Sequence, residues 1–348
     1  MLYKTQSKRG QRVREWALYS LMTPVRKIFE HHMAKKNQVF IYCVMGNGLG
    51  DALTITSILG GLNRQSGTKG IVFSMCPALF ESNPNVVSNL NYHAMPSWKR
   101  SLFKMLLRSL RGPAALCVGG EVWTVGSNPL DTRDLIKRRE KGWNWLEKLL
   151  PDYRPALDYT TLKPEIFFSD AEVVTFQQKF VHIQRPFALL KATVGFNRPT
   201  GAYLKNWDTT KLTWLVAQTP QANWVQIGES GEDEIPGCLD LRGKTSLREI
   251  MWLVSEARFM LSVEGFITHL GAAFNIPTIT PLTGAYDPAT FIYPNTIPLM
   301  ADPMPQCSPC WQSQCVQSEM WCRSRITKET ALNAVESLIK TSAISRIA

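Results

Sequence analysis

The sequence has no apolar run near the ~20 residues that a membrane-spanning helix needs. It also lacks the 7–15-residue apolar core of a secretory leader. Its early apolar stretch, Trp16–Met22, is short and gives way to Pro24, Val25, Arg26 and Lys27. The expectation is a cytoplasmic protein. Acids are scarce: 28 Asp and Glu stand against 39 Lys and Arg, a net charge of +11. The shortage is uneven, since residues 1–36 hold nine Lys or Arg and two Glu, +7 of the total. A basic leader predicts an acidic partner, whether anionic lipid, phosphorylated glycan or nucleic acid. A nucleic-acid-binding protein with a Cys metal site is the rival from another class. It is disfavoured because no aromatic-studded basic strand and no known recognition helix is present.

A dinucleotide fingerprint is missing too. Met45-Gly-Asn-Gly48-Leu-Gly50-Asp51 spaces its glycines as G-x-G-x-G, not G-x-G-x-x-G. The next strand, Ile71–Met75, runs into Cys76-Pro77 without the acid that would hold a ribose. These two absences exclude a dehydrogenase.

What is present is ordinary in amount: 348 residues with 45% hydrophobic and 19% charged, enough for two cores. Residues 1–36 read as one or two basic amphipathic helices, either a solvated arm or an interfacial helix. Gln38–Val44 reads as a strand, with a helix from Ala52 to about Asn63. Residues 97–111 form an amphipathic helix with no acid. Leu102, Phe103, Leu106, Leu107 and Leu110 face one side, and Lys99, Arg100, Lys104, Arg108 and Arg111 the other. That stripe is either a solvated face or one turned to phosphate or membrane. Ala114–Val118 is a further strand, and Thr132–Leu149 a further helix.

Three prolines in 151–164 mark a domain boundary within 150–185. Beyond it strands and helices alternate: strands Phe187–Lys191, Trp224–Gly228, Phe259–Val263 and Thr278–Leu282, helices Asp208–Gln218, Leu247–Ala257 and Thr268–Phe274. Such alternation means a parallel, doubly wound sheet. The predicted fold class is therefore α/β, with two Rossmann-like domains facing across a cleft. Residues 1–37 form an arm, 38–175 the first domain and 176–348 the second, the latter carrying a Cys-cluster loop at 303–325. A terminal helix, Lys328–Lys340, is expected to pack back across the linker.

The chemistry collects at strand ends, where open α/β sheets bind nucleotides. Lys205 sits after the first strand of the second half, Glu229 after the next, and Glu264, Gly265, Thr268 and His269 at a strand–turn–helix corner. Each has a dull alternative: a solvated cation, a turn carboxylate, a packing imidazole. Asp51 could be only an N-cap. Thr245 or Ser246 with Glu249 reads as a structural capping box. Cys43, Cys76, Cys117 and Cys238 read as small buried apolar groups in a reducing compartment, whereas Cys307, Cys310, Cys315 and Cys322 put four thiols into sixteen residues. In a cytoplasmic protein that density suits a structural Zn or Fe ion, or else four reduced thiols around an ordered loop.

Several of these segments together resemble glycosyltransferase family 9, the lipopolysaccharide heptosyltransferases. They are the Gly48-Leu-Gly50-Asp51 turn, Leu241–Ile250, the corner Ala257–Ala273, Ile276–Gly284, and Cys307-Ser-Pro-Cys310. The similarity spans about 38–64 and 187–340. It implies the GT-B fold and an active site between the domains. It further implies that Asp51 is the general base, Lys205 the diphosphate cation, Glu229 the nucleoside-side acid and Glu264 the ligand of the donor sugar's hydroxyls. Thr268 and His269 would fall on the diphosphate side. Direct displacement with one carboxylate base implies inversion, with no cofactor required for catalysis. Related members carry similar cysteine clusters, which favours a structural role for the thiols. Two departures bear on the sugar: Phe266 stands where the family usually has Gly, and Glu264 where Asp is commoner.

The reading that follows is transfer of heptose from ADP-heptose onto a lipopolysaccharide-core-type acceptor. The enzyme would be peripheral on the inner membrane face. Gly48, Gly50, Lys99, Arg100, Lys104 and Arg108 would lie on the acceptor or phosphate side, toward an anionic lipid-linked glycan. The alternatives are a relative that glycosylates a protein or another glycan from a different nucleotide sugar, and an inactive homologue.

Overall fold

The computed structural model describes residues 23–43, 49–100, 115–118, 162–194, 202–284, 293–310, 315 and 317–344. The helix expected at 132–149, the arm before residue 23, and the part of the 97–111 helix after Arg100 lie outside them. No helix among the described residues is long and apolar enough to cross a membrane. The chain divides into two compact units. The first takes in residues 23–43, 57–100, 115–118 and 162, and the second residues 49–56 and everything described from 163 onward.

The first unit is built on a four-stranded parallel sheet. Its strands are β1 (Gln38–Cys43), β2 (Lys69–Ser74), β3 (Val86–Asn91) and β4 (Ala115–Val118), in the order β3-β2-β1-β4. β1 is rich in β-branched and aromatic residues, which suits a central strand. Helix α1 (Thr23–Lys35) precedes it, and Met33 joins Phe40 and Phe73 in a small core flanked by Tyr92 and Met95. Helix α2 (Leu49–Ser66) follows β1. Ala52 to Leu62 are buried without a break, so this helix is enclosed rather than amphipathic. Its Thr56 hydroxyl donates to the Leu53 carbonyl and accepts the Glu165 N–H at 2.8 Å.

The second unit has six parallel strands: β5 (Ala188–Lys191), β6 (Trp224–Gln226), β7 (Leu239–Asp240), β8 (Phe259–Ser262), β9 (Thr278–Pro281) and β10 (Thr296–Leu299). Their order is β10-β9-β8-β5-β6-β7. Because side chains alternate along a strand, Ala188, Leu190, Phe259, Leu261 and Ile279 share one face. That face is covered by helix α4 (Thr209–Gln218), capped by Asp208, whose carboxylate accepts the Thr210 N–H. Helix α8 (Lys328–Ile344) covers it as well, through Ala331 and Val335. The described part of α8 packs against α4, β9 and β10, because its apolar residues complete this core, and much of the linker it was expected to cross lies outside the described residues. Helices α5 (Leu247–Glu256) and α6 (Phe266–Phe274) pack together, and the predicted capping box at Ser246 and Glu249 is formed. Ser246, not Thr245, is the cap. The short α7 (Trp321–Ser324) leads into α8.

Helix α3 (Asp170–Lys179) forms inside the stretch taken for a boundary, opened by its own capping box from Ser169 and Glu172. It is held by Arg248 of α5. The guanidinium donates to both Glu172 carboxylate oxygens at 2.8 and 3.0 Å, to the Phe167 carbonyl at 2.7 Å, and lies 4.7 Å over the Phe168 ring. Burial pushes the Glu172 carboxyl up. Hydrogen bonds from Arg248 and Ser169 outweigh it and hold the group down to about 2. Its folded value is thus below its unfolded one. The stabilisation is present above the ordinary Glu value near 4.5 and is lost as pH falls from there toward 2. Arg248→Ala should cost about 2 kcal/mol at neutral pH, below the ~3–5 kcal/mol of a fully buried pair because Glu172 keeps some solvent. Urea unfolding at pH 7 and pH 3 checks this. The variant's deficit should shrink at pH 3, and an equal deficit at both would remove Glu172 from the account.

Candidate active site

The corner after β8 is made by local chemistry. The buried strand ends at Val263-Glu264-Gly265 and α6 begins at Phe266, two residues before the expected start at Thr268. Gly265 has φ 154° and ψ −152°, a region open essentially to glycine alone. The Thr268 hydroxyl donates to the Gly265 carbonyl at 2.6 Å and accepts the Gly265 N–H at 3.2 Å, which locks the turn. Thr268 and His269 therefore lie in the first turn of α6, both buried.

Lys205 ends a 3₁₀ turn, Ala202–Lys205, and its ammonium is ion-paired with Glu264. Both groups act on His269. Burial, helped by the Lys205 charge and opposed by Glu264, lowers the imidazole to about 4, so it is neutral near pH 7. Its Nδ1 lies 2.7 Å from the Tyr293 hydroxyl, and the two rings meet edge to face, 87° apart in plane. Burial and the Glu264 charge push the Tyr293 phenol up, so it keeps its proton.

The ring edge of His269 meets the start of α2. A Cβ at Gly50 would stand 2.8 Å from His269 Cδ2 and 3.0 Å from Nε2, so glycine is required by close approach. Helix α2 starts at Leu49, which makes Asp51 its third residue and not its N-cap, in place of the predicted start at Ala52. Gly48 lies outside the described residues.

Lys205, Glu264, Thr268 and His269 all fall inside residues 202–320, which match the sequence model of glycosyltransferase family 9 (heptosyltransferase). That match covers about a third of the chain. The chain is a glycosyltransferase. No curated protein sequence matches it. Among solved structures, it is similar to the ADP-heptose lipopolysaccharide heptosyltransferase II of E. coli, at 14% identity and TM-score 0.55, over 88% of this chain and 100% of that one. A family 9 glycosyltransferase of Veillonella parvula gives 14% identity and TM-score 0.58, over 87% and 97%. TibC, an iron-containing dodecameric glycosyltransferase of enterotoxigenic E. coli, gives 13% and 0.54, over 87% and 76%, and TibC has also been solved with ADP-D-β-D-heptose. The fold is of the GT-B type.

In this glycosyltransferase Glu229 is exposed after β6. The enclosed carboxylate of that loop is Glu232, which the sequence reading missed. Lys191 at the end of β5 donates to it at 2.5 Å, the Thr193 hydroxyl at 2.8 Å and the Glu229 N–H at 2.9 Å. A Cβ on Gly228 would come within 2.7 Å of it, so the carboxylate fills the place a side chain would take. The charge that ends the apolar run Phe187–Lys191 was a visible signal. Nothing in Glu229-Ser-Gly-Glu232-Asp-Glu234 singles out the buried acid. Of the expected basic stripe, Lys99 lies over the exposed Trp98 at 5.4 Å and Arg100 over Tyr92 at 5.0 Å, while Lys104 and Arg108 lie outside the described residues.

The cluster cysteines, like Cys76 and Cys238, are free thiols, and Cys76 and Cys238 are half-buried rather than enclosed. Burial pushes the Cys322 thiol up. A hydrogen bond with the Gly284 backbone opposes this, and the neighbouring Cys310, Cys315 and Cys307 add to the rise. Cys310 N–H donates to the Gly284 carbonyl, and a Cβ on Gly284 would lie 3.1 Å from Cys322 Cβ. Among the described residues, no three His, Cys, Asp or Glu are close enough together to hold a metal ion.

Proposed function

We propose that this glycosyltransferase moves heptose from ADP-heptose onto an anionic, lipid-linked glycan of the lipopolysaccharide-core type, with inversion at the anomeric carbon. The observation that carries the reading is the Lys205–Glu264–His269 corner, set against the start of α2 and inside the heptosyltransferase match. Asp51 takes the proton of the acceptor hydroxyl as its oxygen bonds to the anomeric carbon. The bond from that carbon to the diphosphate breaks on the opposite face, and ADP leaves with the electron pair. Lys205 turns from Glu264 to the diphosphate charge, while Glu264 is freed to accept the sugar's hydroxyls. Thr268 and His269 serve the diphosphate side, and Glu229 the nucleoside. Residues 38–175 would form the acceptor-side domain and 176–348 the donor-side domain, with 1–37 a basic arm.

Support for a cytoplasmic, membrane-peripheral site is the pairing of exposed apolar groups with cations. Trp98 is 63% exposed beside Lys99 and Arg100, and Ile28 is 71% exposed beside Lys27. The four clustered thiols are a donor set that suits Zn or Fe. The fit is chemical, since the described thiols do not themselves form a closed site. Such an ion would brace the loop and take no part in transfer.

The test is a thermal melt with ADP, GDP and UDP, alongside metal analysis of the purified protein for Zn and Fe. ADP at a hundred times its Kd should add about 2.7 kcal/mol of stability. Stabilisation by UDP or GDP alone would replace the donor. No stabilisation, with salt-sensitive binding of RNA or DNA instead, would replace the enzyme class.

A further inference from the structure

We propose that Arg242 is a positioning residue for the donor nucleotide. It holds the loop between β6 and β7 in its binding shape before any nucleotide arrives. The inference rests on the nucleotide-sugar reading above, in which Glu229 on that loop serves the nucleoside.

The loop follows Gln226, the last residue of β6, and ends at Leu239, the first of β7. It is fastened from within by two side chains. The buried Glu232 carboxylate accepts from Lys191, from the Thr193 hydroxyl and from the Glu229 N–H. The buried Gln226 amide donates to the Asp233 carbonyl and accepts the Ile235 N–H, both at 2.8 Å. Arg242 fastens the loop a second time, from the turn after β7. Its guanidinium donates to the Glu232 carbonyl, to the two Asp240 carboxylate oxygens at 2.7 and 3.2 Å, and to the Glu234 carboxylate at 3.1 Å. Glu232 is therefore held at its carboxylate by the cation that ends β5 and at its carbonyl by the cation that follows β7. The turn that carries Arg242 also fits closely against the loop. The Gly243 N–H donates to the Gly228 carbonyl at 2.8 Å. A Cβ on Gly243, whose φ is +66°, would stand 2.7 Å from Ser230 Cβ.

Charge gives the clamp a second use. Glu229, Glu232, Asp233, Glu234 and Asp240 put five acids within twelve residues, a field that repels an anionic diphosphate. Lys191 balances Glu232, and Arg242 balances Asp240 and Glu234. The hydrogen bond from Arg242 is the main cause that keeps the Asp240 carboxyl well below the usual carboxylate range. Glu229 stays exposed on the loop. A lysine in place of Arg242 would supply the charge as a single point, whereas the planar fork reaches one carbonyl and two carboxylates at once. A loop fixed in advance has no ordering left to lose when the nucleotide binds. Loss of the fork should thus weaken the nucleotide in ground and transition states alike and leave the chemical step alone.

The experiment uses the full chain and the nucleoside diphosphate that stabilises the wild type, expected to be ADP. Arg242→Gln should bind it about tenfold more weakly, with a raised KM for the donor and a kcat within about twofold of wild type. Arg242→Lys should fall between the two. A folded Arg242→Gln with wild-type affinity overturns the proposal and leaves the functional reading standing. A fall in kcat with KM unchanged overturns it as well, because a merely structural role would act that way. Amide hydrogen exchange in the wild type decides even if both variants fail to fold. The Glu229 and Ile235 amides should be protected without nucleotide and gain little when it is added, and protection that arises only with nucleotide overturns the proposal. If ADP, GDP and UDP all fail to bind the wild type, the functional reading falls, and the role given to Arg242 falls with it.

Discussion

Asp51→Asn is expected to lower turnover about a thousandfold while leaving the stabilisation by ADP unchanged. The acceptor hydroxyl is a poor nucleophile until its proton is taken. Losing the base therefore raises the barrier of the chemical step without touching the nucleotide. The substitution keeps the shape of the side chain. It also leaves the N-cap position itself untouched, because α2 begins at Leu49 and Asp51 is its third residue. An unchanged melting temperature alongside a fall in activity would mark the loss as chemical. ADP release with purified donor and acceptor gives kcat, and a thermal melt gives nucleotide binding. Turnover within twofold of wild type would take the base role away from Asp51. A wild type that binds ADP but releases none from the donor would instead be an inactive homologue.

Gly50→Ala should cost about a hundredfold in kcat, through displacement alone. The new methyl would sit 2.8 Å from Cδ2 of a buried ring that is held at Nδ1 by Tyr293 and lies in the locked turn of α6. The ring has no easy retreat, so the first turn of α2 must move, and Asp51 moves with it. Stability should drop as well. Comparison with Ser66→Ala, at the far end of the same helix, separates a local shift from a general weakening of α2. A Gly50→Ala enzyme with normal kcat would mean that the ring and the helix are not held against each other in solution.

The second half of the chain was readable because its strands are short apolar runs, each followed by a helix of about ten residues. β5, β8 and β9, α4 and α5 fall within a residue or two of their expected limits. β3 was not seen, since Val-Val-Ser-Asn-Leu-Asn is a half-exposed edge strand with no clear alternation. β10 and α3 were missed for a related reason. The one contains a proline, and the other formed in a stretch judged by its prolines. Helix starts shifted by two or three residues at Leu49 and Phe266, because glycines that read as turn had room to serve as cap and first turn.

The sequence by itself determined the corner: an apolar strand stopped by Glu264-Gly265, then a helix, with Thr268 in reach of the turn it ties. Those are short-range effects, written in neighbours and spacing. Only the tertiary structure decided that Lys205 meets Glu264, that Glu232 rather than Glu229 is the enclosed acid, and that Tyr293 stands behind His269. Burial and Coulomb forces act between groups that folding brings together, and a linear order of residues carries no record of which acid will lose its water.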